Sequence, residues 1–239
     1  ELLDSKPFLL GVQNGVVDLR TGTLRPDARE DFVTKRCTVN FDIAAKTPLW
    51  EKFISEITSA PGANGSPLLR PALAAYLQRG LGYTLTGDTS EHKMFIVVGE
   101  GSNGKNVLLD TVQYLMGDYC ITISPDALMA TRNGADPERA TPSTRKLAGA
   151  RMAISSESKD GQRLDVGLVK RQTGDKRMTA RALHENQFTF DITHKVWLMT
   201  NHKPSLDHLD EAVRGRLHLI PFDMRWNRPG HPDPDPKLP

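Results

Sequence analysis

The chain has 239 residues, 38% of them hydrophobic and 25% charged, with 31 basic and 29 acidic side chains and a formal net charge of +2. This composition belongs to a folded globular chain and excludes a disordered or collagen-like one. No apolar run approaches the roughly 20 residues needed to cross a bilayer, and the N-terminus lacks the basic-then-apolar pattern of a secretory signal.

Residues 1–90 read as a small mixed α+β accessory domain. Leu9 to Leu19 contains two glycines, and Arg20-Thr-Gly-Thr is a turn between two short extended stretches. Thr47-Pro48-Leu49-Trp50 opens a helix with Trp50, Phe53, Ile54 and Ile57 at helical spacing. Ser59 to Pro67 is a loop by its breakers. Leu68 to Arg79 reads as a second helix, which Gly80 or Gly82 is expected to stop. Cys37 and Cys120 are too few for a disulfide framework, which points to a reducing, intracellular compartment with both thiols as ordinary buried residues.

From about residue 91 to 225 the character is α/β. Met94-Phe-Ile-Val-Val98 is a continuous apolar run, as expected of a strand buried on both faces of a parallel sheet. Asn103 to Met116 follows as a helix with Leu108, Val112 and Leu115 on one face. Arg151 to Ile154, Lys195 to Thr200 and Leu217 to Phe222 are further core strands, and strands interleaved with helices predict a parallel sheet. Residues 226–239 form a Pro-rich tail that cannot build a regular element.

Net charge hides a concentration. Residues 132–181 carry twelve basic and six acidic side chains, so this span is +6 and the remainder −4. Such a span is a candidate polyanion surface, and equally a solvated face of mixed charge.

Gly99-Glu-Gly-Ser-Asn-Gly-Lys-Asn106 follows the apolar strand and opens the next helix. It fits the phosphate-loop pattern G-x-x-x-x-G-K, with Asn106 in the usual Ser/Thr place. Glycines let backbone N–H groups close on phosphate oxygens, and a helix N-terminus favours anions. Lys105 would reach the outer phosphates, and the Asn106 carbonyl oxygen can serve a Mg²⁺ ion. Glu157 ends a core strand, where a carboxylate can hold Mg²⁺ or polarise water; it reads equally as a surface acid. Asn201, at the end of another strand, can orient water or simply precede a turn at Pro204. Arg214 and Arg216 can stabilise transferring phosphate or cap a helix end.

The ordered set G-E-G-S-N-G-K-N, A-I-S-S-E, W-L-M-T-N-H-K-P and R-G-R-L-H-L-I-P-F resembles a superfamily 3 helicase, and most closely the helicase part of phage and plasmid primase–helicase proteins. N-G-V-V-D-L-R-T-G at 14–22 and G-Y-T-L-T-G-D at 82–88 resemble the domain that precedes the ATPase there. The resemblance implies an AAA+-like P-loop ATPase with a central parallel sheet and a channel β-hairpin. It implies ATP and Mg²⁺ as cofactors, single-stranded or forked DNA as partner, and a hexameric ring. It also implies a site in the cytoplasm of a bacterial host and an upstream primase domain in a longer replication protein.

The same resemblance makes Lys105 the Walker A lysine and Glu157 the Walker B acid. Asn201 becomes the γ-phosphate sensor and Arg216 the arginine finger, with Arg214 as second candidate. The hairpin would be Met178–His184 and Gln187–Phe190, with its tip at His184-Glu185-Asn186. Lys170, Lys176, Arg177, Arg181 and His184 are the DNA candidates. Relatives often carry a lysine near the tip, where this chain has Glu185, and Gly174-Asp-Lys-Arg replaces the commoner Gly-Gly-Asp. A P-loop kinase of a small molecule and a non-hydrolysing assembly or loader fragment are the competing functions. His194, His202 and His208 have no metal-ligand spacing.

Overall fold

The computed structural model describes residues 3–63, 66–129, 145–156, 163–180, 187–206 and 210–226. The chain starts with an antiparallel sheet of three strands, β1 (Leu9–Val12), β2 (Gly15–Asp18) and β3 (Thr23–Arg25). Helices α1 (Pro48–Ile57) and α2 (Pro71–Leu85) follow, each with proline in its first turn, where no N–H is lost to the helix. In α1 the predicted stripe holds: Ile54 and Ile57 are buried, and Trp50 and Phe53 pack against the same core.

The central sheet is built from β4 (Met94–Val98), β5 (Cys120–Ile123), β6 (Met152–Ser156), β10 (Lys195–Thr200) and β12 (Leu217–Pro221). Between them lie α3 (Lys105–Met116), the two-residue strand β7 (Arg163–Leu164), α4 (Val166–Gly174) and the hairpin strands β8 (Arg177–Ala180) and β9 (Phe188–Asp191). Strand β11 (Ser205–Leu206) pairs with β7, and a single-turn helix, α5 (Glu211–Arg214), precedes β12. The sheet order is β12-β4-β10-β6-β5, with every pairing parallel. This is the AAA+-like arrangement that the resemblance implies, and the antiparallel β8–β9 pair supplies its hairpin. The expected tip residues, with Arg181 and His184, lie outside the described residues.

Alternation along the strands divides the core in two. Phe95, Val97, Met152, Ile154 and Trp197 face α1, α2, α3 and the small N-terminal sheet. Met94, Ile96, Ala153, Val196 and Leu198 face Val169 of α4 and Phe190 of the hairpin. Leu10, Val12, Val17 and Cys37 belong to the first cluster, so the N-terminal segment packs directly on the sheet. Cys37 and Cys120 are both buried free thiols, pushed by burial up to about 11 and about 12 respectively.

Helix α2 corrects the sequence expectation. It runs through Gly80 and Gly82 to Leu85. A Cβ on Gly80 would come 3.0 Å from the Phe95 ring, which itself stacks on Trp197 at 4.4 Å. Glycine here lets a helix approach the sheet closely and does not end it. Thr84 completes the contact by accepting from Trp197 Nε1 at 3.0 Å.

Two buried cations close the N-terminal end of the sheet. Arg151, just before β6, is 1% exposed and donates to the carbonyls of Lys6, Pro7, Leu9 and Leu85. Lys195, at the start of β10, is 2% exposed and donates to the carbonyls of Thr86, Asp88 and Thr193. Burial lowers the pKa of both, Lys195 strongly. Arg151 therefore leaves the basic surface to which its place in the 132–181 span assigned it. Replacing Arg151 by Met removes a donor from four main-chain carbonyls, of which those of Lys6 and Pro7 keep a backbone N–H partner, and we expect a loss of about 3 kcal/mol in equilibrium urea unfolding.

His194 is fully enclosed, and burial, aided by neighbouring Lys195, pulls it from 6.5 to about 4. A folded-state pKa below the unfolded one means that the unfolded chain binds the proton first. Stability is therefore complete above about pH 6.5 and falls between pH 6.5 and 4, by roughly 3 kcal/mol. Urea midpoints across that range should drop for the native chain and drop less for His194→Asn.

Candidate functional site

The C-terminal ends of β4, β10 and β6 meet at one level: Val98 is in register with Thr200, and Met199 with Ser156. In open parallel sheets ligands sit beyond this edge. Residues 99–104 form the loop between β4 and α3. Ser102 and Gly104 are left-handed, with φ of 59° and 86°. Such turns point successive backbone N–H groups into one concavity and make an anion nest. Gly104 also needs its bareness, because a Cβ would come 2.6 Å from Ile57 Cγ2 of α1.

Lys105 begins α3 and is 3% exposed. Its ammonium donates to the carbonyl of Gly99 and to Asn103 Oδ1 at 3.0 Å. Burial lowers it to about 8. It is a cation held by neutral oxygens at a helix N-terminus. An arriving phosphate would add a countercharge there.

Asn201 follows Thr200 and is exposed at the end of β10. The Thr200 carbonyl accepts from Gly99 N–H at 3.3 Å, which ties this strand end to the loop. Asn106 is exposed in the first turn of α3. Its amide oxygen is a suitable hard donor for Mg²⁺ next to a phosphate nest. Glu157, the expected second ligand, lies outside the described residues.

Arg216 is half-buried and fixed. Its Nε donates to Thr173 Oγ1 at 3.1 Å and one terminal nitrogen to the Ala212 carbonyl at 3.0 Å. The other terminal nitrogen lies against Gly174, where a Cβ would stand 3.2 Å away. Arg214 is exposed on α5. Among the DNA candidates, Lys170 pairs with Asp210 at 2.6 Å, and Asp210 also caps α5 by accepting from Val213 N–H at 2.7 Å. Arg177 pairs with Asp191 across the hairpin at 2.9 Å, and Lys176 is exposed beside it.

One part of this site lies almost wholly beyond the motifs. The segment Phe222–Trp226 lies along the phosphate loop. Phe222 N–H donates to Val98 O at 2.8 Å, and Trp226 N–H to Ser102 O at 2.9 Å. Arg225 forms an ion pair with Glu100, and Asp223 pairs with Arg70 at 2.6 Å. A Cβ on Gly99 would stand 2.2 Å from Phe222 O, whereas one on Gly101 would meet nothing within 4 Å. Gly99→Ala should therefore cost about 1–3 kcal/mol and Gly101→Ala almost nothing, as read by thermal unfolding of the two variants.

Residues 97–216 match the profile of a family of unknown function, DUF5906, and residues 1–59 match the profile described as D5 N terminal like. A protein of Acanthamoeba polyphaga mimivirus named "Putative helicase L207/L206" is 28% identical over 92% of this chain and 22% of its own length. Frog virus 3 "Putative helicase 022R" is 22% identical over 96% of this chain and 29% of its own. African swine fever virus "Putative primase C962R" is 23% identical over 98% of this chain and 24% of its own. The chain thus spans under a third of the length of these relatives. Two structures of the NrS-1 C-terminal region share the fold at 11% identity. One has a TM-score of 0.54 over 75% of this chain and 38% of that one, the other 0.53 over 88% and 55%. No helix among the described residues is long and apolar enough to cross a membrane.

Proposed function

The chain belongs to the family of unknown function DUF5906 and resembles the superfamily 3 helicases of viral primase–helicase proteins, and on that footing we propose that it is the ATP-dependent DNA helicase module of a replication protein. The observation that carries this reading is the Lys105 ammonium. It is buried, held among the described residues by two neutral oxygens, and set beside left-handed turns at the N-terminus of α3. That arrangement asks for an anion with several oxygens, as a nucleotide triphosphate has.

In this reading Gly99 to Asn106 cradle the phosphates, and Lys105 neutralises the outer ones. Asn106 and Glu157 would hold Mg²⁺, which would supply positive charge to offset that of the phosphates. Asn201 orients the attacking water. Arg216 serves the site of a neighbouring copy in a hexameric ring, with Arg214 as the alternative. The hydrogen bonds to Thr173 and Ala212 support Arg216, because a donor already oriented loses little entropy when charge develops.

The hairpin β8–β9 is the element that meets single-stranded DNA. Lys176, Arg181 and His184 are its contacts, with Lys170 and Arg177 reduced by their ion pairs. Contacts of this sort go to the phosphate backbone and weaken steeply with salt. The longer protein would carry further domains, a primase among them, and work in the cytoplasm of an infected or plasmid-bearing cell.

DNA-stimulated ATP hydrolysis should be abolished in Lys105→Ala. Arg216→Ala should bind ATP yet turn over about a thousandfold more slowly. Mixing the two inactive variants should restore part of the activity, since one brings the intact loop and the other the intact arginine. Undiminished turnover by Lys105→Ala alone would refute the site.

A further inference from the structure

Asn103 is 2% exposed, and its amide makes four hydrogen bonds. Nδ2 donates to the carbonyls of Glu100 and, at 3.2 Å, Phe222. Oδ1 accepts from the Lys105 backbone N–H at 3.4 Å and from the Lys105 ammonium at 3.0 Å. An amide has two donors and two acceptor lone pairs, so its capacity is filled. The orientation is also fixed by chemistry. A flipped amide would turn N–H groups toward an ammonium and oxygen toward two carbonyls.

We propose that Asn103 is a positioning residue, which locks the phosphate loop, Lys105 and the Phe222–Trp226 segment into one preformed unit. The proposal rests on the nucleotide reading above and adds what holds that site ready. An ammonium has three protons. Among the described residues, Gly99 and Asn103 take two of them and so fix where the ammonium sits relative to the loop. The second half of the amide reaches across 119 positions of sequence to the strand end after β12. Gly99 makes room for this, since a Cβ there would stand 2.5 Å from Asn103 Nδ2. No other side chain of this size offers two donors and two acceptors in one plane. Aspartate has the shape without the donors, and serine has one oxygen.

The test has two readouts on the 239-residue chain. The first needs no nucleotide. Trypsin cleavage after Arg225, followed by mass spectrometry, reports release of the segment from the loop. Asn103→Asp keeps shape and volume but faces two carbonyls with oxygen, so cleavage there should rise about tenfold over the native chain, and likewise in Asn103→Ala. The second is the affinity for a fluorescent ATP analogue in a double-mutant cycle. Asn103→Ala should weaken binding about tenfold or more in the native background. It should add little in the Lys105→Ala background, because the residue acts through the ammonium.

Unchanged cleavage overturns the proposal. So does a loss of affinity that simply adds to that of Lys105→Ala, since a generally loosened loop would behave that way. A native chain that binds no analogue overturns the nucleotide reading and the positioning role together. A native chain that binds normally, with Asn103 variants that also bind normally, overturns the role of Asn103 alone.

Discussion

Two buried cations bonded to main-chain carbonyls hold the fold at its base. Arg151 and Lys195 stand on adjacent strands at the N-terminal end of the sheet, and their ligands are main-chain carbonyls of residues 6–9, 85–88 and 193. Burying a cation is costly unless its protons are met. Here the Lys195 ammonium and the two terminal nitrogens of Arg151 are met by peptide carbonyls, most of them from the N-terminal segment and from the end of α2. Two of those carbonyls, of Lys6 and Pro7, also accept from the N–H groups of Leu9 and Gly87, so the cations tie together turns that are already hydrogen-bonded. The small N-terminal sheet and α2 are thereby fixed against the strands whose far ends carry the candidate site.

The same chemistry is left incomplete at the opposite end. Lys195 has three carbonyl partners for its three protons and a Tyr83 ring face at 4.7 Å. Lys105 has two oxygen partners among the described residues. Both are desolvated, but only Lys105 adjoins a helix N-terminus and an anion nest. One ammonium is a closed structural joint, and the other is the one on which the proposed nucleotide site is built.

Local pattern made much of this legible. The apolar runs named the sheet strands, and the order of loop, strand-end acid, strand-end amide and arginine pair pointed to a phosphate-handling motor before any geometry. What escaped was set by contacts distant in sequence. Gly80 and Gly82 looked like a helix end, because a stop signal and a close-packing glycine are the same residue without Phe95 in view. Arg151 counted as surface charge, although its partners lie more than sixty positions away. The pairing of Lys170 with Asp210, forty positions on, was likewise not visible in the sequence. Beyond Phe222 the segment to Trp226 carries no motif, since its bonds to the loop are mostly main-chain bonds that any side chain would allow.

The links around α4 show how the distant ends of the molecule are joined. Arg216 is bonded to Thr173 and Lys170 to Asp210, so the turn bearing the arginine pair and the helix leading to the hairpin share two polar contacts. Thr173 also gives its carbonyl to His92, which stands just before β4, the strand that ends in the phosphate loop. Helix α4 therefore touches the approach to the loop, the arginine turn and the hairpin. A small rotation of α4 would be felt at all three, because packed and hydrogen-bonded elements shift together and do not stretch. The hairpin needs no long lever of its own: the helix that leads into it is already bonded to the turn that carries Arg214 and Arg216.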